Sequence, residues 1–220
     1  VEPGMTPTFG QSFDSNRPML RALVVADGHE VHDFPIVPDN VDALLNAYSN
    51  ALASCDVVIS SGGASDGDED HTQAAMRMIG AELVFWRLAM KPGRPMAVGS
   101  LGRKKLFCLP GNPVATFVCY RLLAAPALAV MAGGMAKDIL RIPMRSGFAH
   151  KKRPGRAEYL RVKLQADAAG GVVMQLHGRS GAGVLSSLTT ADGLIEIPVE
   201  TEGGSEGDSR SVLRCRAAGV

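Results

Sequence analysis

The sequence predicts two folds in series, an α/β domain built on a mostly parallel sheet and then a small all-β domain. Three observations carry this. From residue 16 to about 133, helical spacing of apolar residues alternates with short, near-continuous apolar runs, the pattern of parallel strands covered by helices on both faces. Beyond Gly133 and Gly134 the segments shorten, partly alternate in polarity and are parted by glycine, as in a small sandwich or barrel. The 220 residues are 46% hydrophobic and 20% charged, enough apolar material for one or two folded domains.

Each element has its own signal. Residues 16–28 read as a helix stopped by Gly28, and residues 29–37 as a strand. Val41, Leu44, Leu45, Tyr48 and Leu52 keep helical spacing over 39–54, behind an Asp39 cap. Val57, Val58 and Ile59 form the next strand, and a helix follows over 70–80. Residues 83–89, 96–98 and 106–109 are further strands, and a long apolar helix over 113–131 closes the half. In the second half, 159–164, 172–176 and 194–197 are strands, while the polar, glycine-rich 199–211 is a hairpin loop. The domains are therefore expected at 1–138 and 139–220.

Composition excludes several classes. A net charge of +1 gives no broad basic face, so no nucleic acid is expected as a partner. No apolar stretch is expected to reach membrane-spanning length and no signal peptide is visible, which predicts a cytoplasmic protein without membrane contact. Cys55, Cys108, Cys119 and Cys215 have neither metal-ligand nor redox spacing, and the first three sit in apolar runs as buried thiols. The chain starts at Val1 rather than Met, which reads as a fragment or a processed form.

Ligands of open α/β sheets bind beyond the carboxyl ends of the strands, and three glycine-bearing loops fall there. The first follows Ile59: two serines, Gly62, Gly63 and Ser65, then Asp66, Asp68, Glu69 and Asp70 almost side by side. The glycines permit close approach of backbone to a ligand, and a following helix start can hold an anion. Like charges repel, so stability does not explain the acids. The second loop is Lys91, Pro92, Gly93, Arg94 and Pro95, a proline-stiffened cationic clamp. In the third, Pro110, Gly111, Asn112 and Pro113 end a strand and begin a helix, with Asn112 as cap and Pro113 at the first helical position. Singly, each is weak. A glycine turn after a strand is usually a turn, and acids favour any first helical turn.

Together they are specific. With Phe13, Asp14, Ser15 and Asn16 ahead of them, and Phe85 and Trp86 between, residues 10–133 resemble the molybdopterin-binding domain of the molybdopterin molybdenumtransferases, the family of molybdenum-insertion enzymes that includes the gephyrin E domain. Arg153, Pro154, Gly155 and Arg156, then Leu185, Ser186 and Ser187 before Ala191, Asp192 and Gly193, resemble that family's C-terminal β domain. The resemblance implies a three-layer molybdopterin-binding domain whose first strand and acidic turn, like two preceding domains, are not in this chain.

It also implies an activity: molybdate is inserted into adenylated molybdopterin, AMP is released, and molybdenum remains on the dithiolene sulfurs. By the same analogy Asp70 and Lys91 are the catalytic residues, and Asp70 and Asp68 hold Mg²⁺, which would let acids crowd beside a pyrophosphate. Substrate binding falls to Asp14, Ser15, Asn16, Gly62, Gly63, Ser65, Gly93, Arg94, Pro110, Gly111, Asn112 and Arg156. Lys91, Arg94 and Arg156 are expected to converge on one oxyanion pocket. The partners implied are small-molecule substrates, a second copy in a homodimer, and a molybdopterin adenylyltransferase. Three positions depart from the family pattern: Asp66 replaces an apolar residue, Asp68 a glutamate, and Ala115 a serine whose hydroxyl serves the oxyanion. Two other readings stay open, a non-catalytic molybdopterin-binding or scaffold module and a molybdopterin adenylyltransferase. His71 reads as readily as a surface residue as a ligand, and His150 and His177 show no partner in the sequence.

Overall fold

A computed structural model describes residues 1–63, 71–136, 138–178 and 185–214. The chain divides into two compact units, residues 1–88 with 95–125, and residues 89–94 with 126–220.

The first unit opens with helix α1 (Asn16–Ala26) and helix α2 (Val41–Ser54). Residues 29–37, expected as a strand, form none and are largely exposed, Phe34 and Ile36 included. Pro35 supplies no backbone donor, and the apolar side chains find no core to enter. Helix α2 is capped by Asn40 rather than Asp39; the Asn40 side chain accepts from the Ala43 amide at 2.9 Å. Strand β1 (Val57–Ser61) follows, then α3 (His71–Met78), β2 (Glu82–Trp86), β3 (Met90–Lys91), β4 (Ala97–Leu101) and β5 (Lys104–Leu109).

Four of these strands form a sheet in the order β1-β5-β4-β2. Within this sheet only the β1–β5 ladder is parallel among the described residues; β5–β4 and β4–β2 are antiparallel, against the expected mostly parallel sheet. The cause is local: Gly102, at φ +58°, turns β4 straight back into β5 as a hairpin. Tyr48 and Leu52 of α2 and Ala75 and Met76 of α3 pack on Leu106 and Cys108 of β5 and Ala97 of β4. Strand alternation turns Phe107 and Leu109 to the other face, where α4 (Pro113–Cys119) packs on β5 and α1. The result is the three-layer α/β arrangement. Cys108 and Cys119 are buried thiols, and burial pushes Cys119 up to about 12.

The helix expected over 113–131 is long and apolar enough, by length and composition, to cross a membrane, contrary to expectation. Val114, Val118, Cys119 and Tyr120 are buried within the protein. It is not one regular helix: a wide turn, Tyr120–Ala124, separates α4 from α5 (Ala125–Met131). Pro126 has no N–H to donate into a regular ladder, and the Ala125 amide reaches back to the Tyr120 carbonyl, five residues away.

In the second unit, β6 (Arg141–Ser146), β7 (His150–Lys151), β8 (Ala157–Ala166), β9 (Val172–Leu176), the short helix α6 (Ser186–Thr189), β10 (Gly193–Ile197), β11 (Gly203–Gly204) and β12 (Ser209–Leu213) follow in order. The segment expected as a hairpin loop over 199–211 thus contains β11 and the start of β12. Strand β10 pairs with both β12 and β8, so β10, β12, β6, β9 and β8 close into a ring. Val162, Met174, Ile195, Ile197 and Val212 fill it. Strand β3, far earlier in the chain, joins this sheet in parallel with the start of β8.

Candidate functional site

In the first unit the loops after β1 and β5 meet. The Gly62 amide donates to the Leu109 carbonyl at 3.1 Å, and a Cβ on Gly111 would lie 3.5 Å from Gly62 Cα. Gly62 and Gly63 both have left-handed backbone, at φ +89° and +75°. Asn16, at the start of α1, ties the two loops together: its Nδ2 donates to Ser61 Oγ at 2.6 Å and to the Gly111 carbonyl at 2.7 Å. Its Oδ1 is buried with no hydrogen-bond partner among the described residues. Of the expected binding residues, Asn16, Gly62, Gly63, Pro110 and Gly111 therefore lie in one cluster.

Others behave differently. Asp14 accepts from the Asn16 and Arg17 amides at 3.0 and 3.2 Å, and from Arg17 Nε at 3.3 Å, so its carboxylate is committed to the start of α1. Ser15 makes no side-chain cap bond there. Asn112, expected as a cap through its side chain, makes no such bond; its carbonyl instead takes the Thr116 amide at 2.9 Å. The Thr116 hydroxyl, fully buried, donates to the Pro110 carbonyl at 2.6 Å and fixes the turn from within. Ala115 is buried. Ser65, Asp66, Asp68 and Asp70 lie outside the described residues. Among the described residues no three His, Cys, Asp or Glu side chains come together as a metal group.

The second unit holds a cationic cleft of about 430 Å³, lined by Lys91, Lys151, Lys152, Arg153, Arg156 and Glu158. Five cations face one carboxylate. Lys91 arrives on β3, whose register sets it against Glu158 of β8. Lys152 is pinned by the Arg156 carbonyl at 2.8 Å and the Val199 carbonyl at 3.2 Å. Lys91 and Arg156 thus share one cleft, while Arg94, expected with them, is exposed and does not line it. Gly93 is buried at φ +119°.

Sequence reasoning missed Glu158. Its side chain accepts from Lys91 Nζ at 3.2 Å on Oε1 and meets His150 Nε2 at 2.9 Å on Oε2. Burial pushes its carboxyl up, but these hydrogen bonds and nearby positive charges outweigh it and hold the group below the ordinary glutamate range. The signal was present: Glu158 shares strand parity with Leu160 and Val162, which face the core, and an acid at such a position needs partners. His150 and His177 accordingly have partners after all, Glu158 and Thr190.

Two family models match the chain: one described as "Probable molybdopterin binding domain" over residues 5–130, and the MoeA C-terminal region (domain IV) over 143–214. The chain belongs to the molybdopterin-binding domain family. Among its relatives in this family are the molybdopterin molybdenumtransferase of Haemophilus influenzae, 32% identical over 96% of this chain and 52% of that protein, and that of Staphylococcus aureus strain COL, 31% identical over 90% and 46%. A crystal structure of a molybdopterin biosynthesis MoeA protein from Pyrococcus horikoshii aligns with a TM-score of 0.80 and 29% identity, covering 98% of this chain and 51% of that one. The chain spans about half the length of the curated molybdenumtransferases it matches.

Proposed function

We propose that the chain acts in molybdenum cofactor biosynthesis as the substrate-handling part of a molybdopterin molybdenumtransferase. Adenylated molybdopterin and molybdate are the substrates; water cleaves the phosphoanhydride, AMP leaves, and molybdate exchanges oxygen, lost as water, for the dithiolene sulfurs. The observation that supports this most is the cleft shared by Lys91 and Arg156. A doubly charged oxyanion gives up strong hydration only for fixed charge, and the cleft supplies it from several cations.

In this reading the backbone around Gly62, Gly63 and Gly111 receives pterin or phosphate, where glycine lets a ligand approach the main chain. Asn16 holds those loops in register through its Nδ2 donors. Asp68 and Asp70 are assigned to Mg²⁺, which when bound neutralises the pyrophosphate. A homodimer, an adenylyltransferase that delivers the adenylated substrate, and a cytoplasmic location belong to the same reading.

The test is AMP release from adenylated molybdopterin by protein containing this chain, in the presence of molybdate and Mg²⁺. Turnover should require more molybdate in Lys91→Ala and Arg156→Ala. Binding of the adenylated substrate without AMP release replaces this reading with that of a scaffold.

A further inference from the structure

Glu158 is out of place by charge alone. It removes one charge from a cleft otherwise walled by cations, and it is itself 5% exposed. An acid there weakens the field on any anion unless it does something the cations cannot.

Lys91 shows what that is. Its side chain is 59% exposed and its ammonium sits on a flexible four-carbon stem. Among the described residues its one side-chain hydrogen bond is the 3.2 Å contact to Glu158 Oε1. That contact uses one of three N–H donors and leaves two for a ligand. The carboxylate is itself fixed: its second oxygen is taken by His150 Nε2 at 2.9 Å, and its strand is paired in register with both β3 and β10. Lys152, by comparison, is fixed by two backbone carbonyls. The cleft thus has two anchored lysines, one held by the main chain and one by Glu158.

We propose that Glu158, anchored by His150, is a positioning residue that holds the Lys91 ammonium at the wall of the anion cleft before an oxyanion arrives. The proposal rests on the oxyanion reading of the cleft given above. It reverses the simple electrostatic expectation. Glu158→Gln makes the cleft one charge more positive, so Coulomb attraction alone predicts tighter anion binding. Positioning predicts weaker binding, because Lys91 must then be ordered at the moment of binding.

The experiment is calorimetric titration of the full chain with sodium molybdate at about 0.15 M salt, where loose surface attraction is screened. The expected result is that Glu158→Gln weakens binding by about 3-fold to 10-fold, the cost of immobilising one long side chain. In a Lys91→Met background the same substitution should no longer weaken binding and, by charge alone, should leave it equal or tighter, whereas a merely stabilising glutamate would weaken binding there too. Should Glu158→Gln fail to fold by circular dichroism, Glu158→Asp, which keeps the charge and shortens the reach, is measured with the same expectation. Equal or tighter binding by the Glu158 variant with Lys91 in place, or weakening that persists without Lys91, overturns the positioning role alone. If wild type does not bind molybdate, or Arg156→Ala binds it as well as wild type, the oxyanion cleft falls and the positioning role with it.

Discussion

Tyr120 donates its phenolic hydroxyl to Asp27 Oδ2 at 2.6 Å, joining the wide turn of the long helix to the C-terminal end of α1. The neighbouring Arg121 takes Oδ1 of the same carboxylate at 2.8 Å. Burial first, and Asp27 second, push the Tyr120 phenol well above its ordinary range. A hydrogen bond to a charged acceptor is among the stronger ones, so Tyr120→Phe should cost about 1.5–3 kcal/mol. Urea unfolding checks this, with an unchanged midpoint counting against it.

Glu158 also sets an acid limit on stability. Its folded carboxyl lies below the ordinary glutamate value of about 4.3, so its contribution is fully present above that value. It is lost as pH falls through the depressed value, when the carboxyl protonates and releases Lys91 and His150. Melting temperature followed from neutral pH into the acid range should therefore fall less steeply in Glu158→Gln than in wild type. Parallel acid limbs would show that the carboxylate contributes nothing there.

The paired glycines after β1 should respond unequally to alanine. Both have left-handed backbone, which costs an L-residue roughly 1–2 kcal/mol. Among the described residues a Cβ on Gly62 meets nothing within 4 Å, whereas one on Gly63 lies 3.0 Å from Thr72 Oγ1, a buried hydroxyl. Gly63→Ala should be the more destabilising of the two by thermal melting. The reverse order would mean that the loop relaxes around Thr72.

Asn16→Ala removes both donors that tie β1 to the loop after β5, leaving Ser61 and the Gly111 carbonyl to other partners. A loss of about 1–3 kcal/mol is expected for such partly buried bonds. Amide hydrogen exchange should show the loss first at residues 61–63 and at Gly111 and Asn112. Exchange unchanged there would deny Asn16 its role as the tie.

For the metal, Asp70→Asn keeps the side chain's size and removes the charge a hard cation needs. Under the proposed function, turnover of adenylated molybdopterin at saturating Mg²⁺ should be abolished, while pterin binding weakens far less. Near-normal turnover would take the cation away from Asp70.

Periodicity made much of this fold legible. Leu44, Tyr48 and Leu52 mark the buried face of α2, and the short segments read as strands after Gly134 supply strands of a closed β sheet. What escaped depends on pairing. Residues 29–37 have strand-like composition, yet a strand exists only where a ladder partner does, and Pro35 removes a donor besides. The Gly102 hairpin reverses β4 against β5, something the apolar runs on either side do not encode. Within the site, loop glycines and cations announced themselves by type. Glu158 did not, because its importance comes from strand parity and from Lys91, a residue 67 positions away.

The path of β3 bears on how this protein can be divided. Residues 89–94 belong to the unit otherwise formed by 126–220, so the chain passes from one unit to the other three times. A gene segment beginning at residue 126 would encode the closed sheet without β3 and the cleft without Lys91. Recombination or truncation at any single site therefore cannot transplant the second unit whole. The heritable module is the pair, and a circular or split version would have to carry six residues from the middle of its neighbour.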